Sequence, residues 1–140
     1  MKNKDININI NITRIVHIIH ESEFLSLYVG QNVNGKYIIS SFLDEEDEKG
    51  FYLMYLHVIT DNSQIDSFLR GKISYLQVLQ NAKKIYRVDK NYNYEIIDSY
   101  ITSFEELEKI GTIPSKDSFF ITEVPQSLLL SLSKNDFYKI

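Results

Sequence analysis

Four groups of side chains in this sequence have the types and spacings from which chemistry could be built. Arg70-Gly71-Lys72-Ile73-Ser74 sets two cations beside a serine able to open a helix, where orphan backbone N–H groups attract an anion. A phosphate loop proper needs G-x-x-x-x-G-K-[ST] after a strand, and no glycine stands at that spacing before Gly71, so helix capping explains the pattern equally well. His17, His20 and His57, with Glu21 nearby, carry metal-ligating atoms. A helix would align His17 with His20, a strand would put them on opposite faces, and no metal site is expected. The five carboxylates from Asp44 to Glu48 lack the spacing of a calcium loop and read as a solvated turn or a surface for a basic protein. Finally, ten tyrosines, among them Tyr52, Tyr55, Tyr86, Tyr92, Tyr94 and Tyr100, and the arginines Arg14, Arg70 and Arg87 offer faces for stacking and cations for phosphate.

Catalytic signatures are missing by comparison. There is no G-x-S-x-G, no H-E-x-x-H, no cysteine and no glycine-rich dinucleotide loop. Carboxylates such as Glu21 and Glu23 are plentiful but have no evident partner, which leaves a small hydrolase as a third-ranked reading. No catalytic residue and no cofactor is expected.

Elements able to position these groups are legible in the hydrophobic pattern. The 140 residues, 44% hydrophobic, suffice for one core and one domain, with 1–5 frayed. Alternating isoleucine and asparagine from Ile6 to Ile12 predicts an edge strand, and Thr13 to His20 a better one. Phe24 to Gly30 and Lys36 to Leu43 flank Asn34-Gly35, a strong hairpin signal. The acidic turn leads into Phe51 to Ile59, apolar on both faces and therefore central. Next comes a helix pair over Asn62 to Gln80, broken by Gly71 and restarted by Ser74, with an apolar stripe that includes Ile65, Phe68, Leu69, Leu76 and Leu79. Lys84 to Asp89 and Tyr92 to Ile101 predict a hairpin turning at Lys90-Asn91, and Ser103 caps a helix from Phe104 to Ile110 closed by Gly111. Phe119 to Val124 predicts a last strand, and Gln126 to Leu132 a docking helix. The fold class is α+β: a mainly antiparallel sheet centred on Tyr37 and Phe51, a helix-turn-helix pair on one face and a C-terminal helical or strand extension.

From Thr13 to Leu79 the order of elements resembles an uncharacterised bacterial family of small domains of unknown function. The resemblance rests on Phe24-Leu25-Ser26-Leu27-Tyr28, Asn34-Gly35-Lys36-Tyr37-Ile38, the acidic run, Phe51-Tyr52-Leu53, and Leu69-Arg70-Gly71-Lys72-Ile73-Ser74 in an L-x-x-G-x-I-x-L-like helix end. The family's Asp-Gly-Pro turn is replaced by Glu21-Ser22-Glu23. The resemblance implies an α+β fold and no particular activity.

The net charge of −4 and pI near 5.3 argue against non-specific nucleic-acid binding. The absence of cysteine and of a long apolar run predicts a soluble cytoplasmic protein without a membrane span. The reading that follows is a non-catalytic bacterial or phage accessory protein that sequesters a nucleotide-like small molecule through Arg70, Lys72, Ser74, Arg87, Tyr86 and Tyr55. An immunity-type inhibitor that covers a basic toxin or nuclease is the alternative. A homodimer is expected from the apolar N-terminal strand and tail.

Overall fold

A computed structural model of the chain describes residues 8–21, 23–47, 50–119 and 124–138. Its centre is a six-stranded antiparallel sheet in simple sequence order: β1 (Arg14–Glu21), β2 (Leu25–Gln31), β3 (Tyr37–Glu46), β4 (Tyr52–Thr60), β5 (Ile85–Lys90) and β6 (Ile96–Thr102). Two helices, α1 (Asn62–Leu69) and α2 (Tyr75–Asn81), interrupt the meander between β4 and β5, and α3 (Phe104–Lys109) and α4 (Gln126–Tyr138) follow it. The α+β class is therefore as the pattern predicts.

The period of two assigns the two faces. Leu27, Val29, Tyr37, Ile39, Leu56 and Val58 point to one side and join Ile65, Phe68, Leu69, Val78, Leu79, Leu107 and Leu132 from the four helices in one buried cluster. On the other side Tyr28, Leu53, Tyr55, His57 and Val88 are buried beneath residues that precede β1. β4 contributes to both faces, as its continuous apolar run requires.

Turn chemistry sets the ends of the elements. Gly71, at φ +73°, follows the last turn of α1, and Ser74 opens α2 with a capping box in which its hydroxyl and Gln77 bond each other's backbone N–H. Ser103 caps α3 in the same sense and Gly111, at φ +73°, ends it. The β2–β3 and β5–β6 loops share one design. In each the first asparagine, Asn32 or Asn91, accepts through Oδ1 from the N–H groups two and four residues on, and the fourth residue, Gly35 or Tyr94, takes positive φ.

Five expectations need correction. Ile8–Ile10 is a 3-10 turn rather than part of an edge strand: Asn11 N–H bonds back to the Ile8 carbonyl, Asn9 accepts from Asn32 and Asn34 of the β2–β3 loop, and Ile10 is wholly buried against Tyr86 and Val88; Ile6 and Asn7 lie outside the described residues. Asp44, Glu45 and Glu46 belong to β3, paired with Met54, Leu53 and Tyr52, so the turn begins later. Phe51 is no sheet centre: it lies before β4 with φ +55° and 64% exposure, while Tyr37 is buried. Lys90 is the last residue of β5, not a turn residue. His17 and His20 pair with Val29 and Leu27, which share a face of β2, because bulges shift the register between Ile15 and His17 and again between Ile18 and His20. Of the predicted strand from Phe119 to Val124, residues 120–123 lie outside the described residues, and Phe119 and Val124 are irregular.

Candidate functional site

Two concave sites emerge, on different parts of the sheet. The larger is a groove of about 960 Å³ where the β2–β3 loop, the start of α1 and the α2–β5 connection meet. Lys36, Lys83 and Lys84 stand on its exposed walls, Asp61 is the one carboxylate among the described residues that line it, and Asn62 and Tyr86, both 8% exposed, form part of its floor. The volume is typical of a small-molecule site. Asp61 is the N-cap of α1, one of its oxygens accepting from Gln64 N–H at 2.7 Å. Three cations against one carboxylate make this end of an acidic protein locally positive.

The smaller site is a cavity of about 70 Å³ beneath the segment that precedes β1, on the sheet face without helices. It is built on Lys90, which is 2% exposed. Its Nζ donates to the Tyr28 hydroxyl at 2.7 Å and sits 4.5 Å from the Tyr55 ring centroid and 5.3 Å from that of Tyr28. Burial pushes its pKa down to about 7, and among the described residues no carboxylate offsets that cost. Burial likewise pushes the Tyr28 hydroxyl up to about 12, a rise opposed by the Ser40 hydroxyl.

His57, on the same face of β4, is fully buried. Its Nδ1 lies 2.8 Å from the Ile10 carbonyl. A carbonyl only accepts, so Nδ1 carries the proton and Nε2 presents a lone pair, which has no hydrogen-bond partner among the described residues. Burial, reinforced by the charge of Lys90, holds His57 well below its ordinary pKa. Tyr94 completes the wall: it accepts from Leu25 N–H at 3.1 Å, while Tyr55 donates to the Leu25 carbonyl at 2.5 Å.

The cover of this cavity is fixed at several points. The Asn32 side chain donates to the Asn9 carbonyl at 2.9 Å, Thr13 N–H donates to the Gln31 carbonyl at 2.8 Å, and Ile12 lies against Gly30. A Cβ on Gly30 would lie 2.3 Å from Cγ2 of Ile12, so the close passage of this segment over β2 depends on a residue without a side chain.

The residues singled out from sequence do not converge. Arg70 is exposed and bonded to Asp66 at 2.8 Å, Lys72 is exposed, and Ser74 is consumed in capping α2. Arg87 lies 5.5 Å from the Tyr100 ring centroid, 3.6 Å from Asp89 and against the sulfur of Met54. Tyr86 belongs to the groove and Tyr55 to the Lys90 cage. His17 and His20 lie far from His57 in sequence, and among the described residues no group of three His, Asp or Glu side chains is placed to hold a metal.

Sequence reading missed Lys36, Lys83, Lys84 and Lys90. A signal for Lys90 was present: Asn32-Val33-Asn34-Gly35-Lys36 and Asn91-Tyr92-Asn93-Tyr94-Glu95 share N-x-N, and aligning them ends the strands at Gln31 and Lys90. Compared with protein-family models, curated proteins and solved structures, the chain matches none. No helix among the described residues is long and apolar enough to cross a membrane.

Proposed function

We propose that the protein binds and sequesters an anionic, nucleotide-like small molecule in the groove lined by Lys36, Lys83, Lys84 and Tyr86. The observation that carries this reading is the accumulation of three lysines on a groove of ligand size in a chain whose net charge is −4. Ammonium groups hold phosphate as point charges, carboxamides such as Asn62 and Gln64 suit the edges of a base, and Tyr86 with Ile59 offers apolar contact. The cations proposed from sequence, Arg70, Lys72 and Arg87, are replaced in this role by the groove lysines.

Thermal unfolding with nucleotides tests the reading. A ligand at about 100 times its Kd stabilises the folded state by about 2.7 kcal/mol. For a domain of this size that corresponds to a rise in Tm of roughly 5–10 °C. Lys83→Glu with Lys84→Glu should abolish the rise while leaving the Tm of the free protein nearly unchanged, and the released ligand should be intact. No response to any mono- or dinucleotide, or recovery of a cleaved one, would refute sequestration.

A second reading, the inhibitor of a basic protein, draws on the opposite end of β3. There Glu45 accepts from the exposed Tyr92 hydroxyl at 2.5 Å, and that bond, with the charges of Glu45, Asp47 and Glu23, pushes Tyr92 up to about 12. Co-purification of a basic protein that is released by Glu45→Lys would favour it over the groove.

A further inference from the structure

Lys90 lies outside the groove and has no part in the reading above, yet it is a costly side chain to bury. An amine enclosed to 2% exposure without a carboxylate is ordinarily selected against. Here it adjoins two aromatic faces and a void that His57 also lines. The void, at about 70 Å³, exceeds the roughly 10–15 Å³ that one water requires, and so admits a molecule of a few non-hydrogen atoms. Its walls include Asn11, Ile12, Tyr28, His57 and Tyr94. We propose that Lys90 is a covalent capture site for a small aldehyde or ketone, held as an iminium ion between Tyr28 and Tyr55, with His57 as the base that relays the protons.

The step balances within these groups. Through a water in the void they both line, Nε2 of His57 takes one proton from the Lys90 ammonium, and the freed lone pair attacks the carbonyl carbon as the C=O π pair moves onto oxygen. A second N–H proton passes to that oxygen, giving a neutral carbinolamine. The imidazolium then returns its proton to the hydroxyl, which leaves as water while the nitrogen lone pair closes the C=N bond. Ammonium and carbonyl become iminium and water, with no oxidant and no change in charge. The aromatic cage therefore faces a cation before and after, 4.5 Å from the Tyr55 centroid at the outset. A negatively charged adduct would gain nothing from those rings.

Only a base already holding Nδ1–H can offer Nε2 as acceptor, and the Ile10 carbonyl, 2.8 Å away, enforces that tautomer. The segment over the cavity is thus both cover and positioning group. It also limits the carbonyl compound to one that fits beneath Asn11 and Ile12.

The test is reductive trapping in the whole folded chain. Acetaldehyde with cyanoborohydride at pH 7 should alkylate Lys90 at least about tenfold faster than Lys36, Lys72 and Lys109, because an ordinary lysine is almost wholly protonated there. Sites are read by peptide mass spectrometry, so the exposed lysines serve as controls within each sample. Benzaldehyde, too large for the void, should label the exposed lysines and spare Lys90. In denaturant the preference for Lys90 should vanish. His57→Gln should slow Lys90 by about tenfold or more without altering the exposed lysines, and should change the pH dependence of the Lys90 rate alone. A Lys90 rate at or below that of the exposed lysines in the folded wild-type chain overturns the proposal whatever the variant does, and equal labelling by benzaldehyde overturns it as well.

Discussion

Replacing Lys90 by methionine should change both the stability of the protein and the way stability depends on pH. The folded chain holds this amine at a pKa of about 7 against an ordinary value of 10.5, and burial is the cause. The gap of roughly 3.5 units, at 1.36 kcal/mol per unit, corresponds to about 5 kcal/mol of penalty while the amine is protonated. The direction follows from proton counting. Between about pH 7 and 10.5 the unfolded chain holds a proton at this position that the folded chain has released, so stability rises with pH across that window. Below about pH 7 both states are protonated and the penalty stands in full. Methionine has similar length and no charge, and it removes penalty and slope together. It leaves the Tyr28 hydroxyl without its 2.7 Å donor, which costs about 1–3 kcal/mol. At pH 6 the variant should therefore be more stable than wild type by about 2–4 kcal/mol. At pH 10 the difference should vanish or reverse. Urea midpoints of both proteins at pH 6, 8 and 10 measure this directly, and other titrating groups largely cancel in the difference. Parallel pH profiles for the two proteins would show that Lys90 is solvated or paired, and would remove the basis of the buried cage.

Further perturbations probe the parts that hold the sites in place. Gly30→Ala puts a methyl group 2.3 Å from Ile12 and 3.0 Å from the Arg14 carbonyl, so it should cost about 1–3 kcal/mol and speed amide exchange before β1, read by hydrogen–deuterium exchange. Unchanged exchange there would refute the packed cover. Gly71→Val, at φ +73°, should cost about 1 kcal/mol or more, and Ser74→Ala about 1 kcal/mol through the lost cap; unaltered denaturation midpoints in both would refute the capping geometry. As pH falls below 6.5, the depressed His57 must stay neutral in the folded chain while the unfolded chain gains a proton, so stability should drop there, and His57→Gln should flatten the drop. Self-association remains a proposal with a changed basis. Ile10 and Leu132 are covered within the chain while Ile8 and Leu130 stay exposed, and the edge strands add apolar surface at Ile15 and Ile18 of β1 and at Ile97, Tyr100 and Ile101 of β6. Sedimentation at low micromolar concentration should exceed the 16.4 kDa of one chain, and Ile18→Lys with Ile101→Lys should restore that mass.

Why strands, turns and caps were legible while the sites were not has a physical reason. The Asn34-Gly35 turn between two strand-like runs, the glycines at 71 and 111, and the serines at 74 and 103 act within a few residues of themselves, so their consequences can be read locally. The groove is assembled from a hairpin loop, a helix start and a helix–strand connection, which lie up to 50 residues apart from Lys36 to Tyr86. No spacing rule joins them. The first isoleucines show the limit from the other side. Their alternation is that of a strand, and a strand at the sheet's edge would have left the face beneath Ile10 open; the tertiary gain from burying Ile10 against Tyr86 and Val88 outweighed a pattern that asparagine made poor to begin with. That choice decides the chemistry of the molecule. With the segment laid over the sheet, the Ile10 carbonyl fixes the tautomer of His57, the cavity is covered, and Lys90 is buried. A lysine at the end of a strand is unremarkable by sequence, because lysine is ordinarily solvated there. Its chemistry is created by what folds over it.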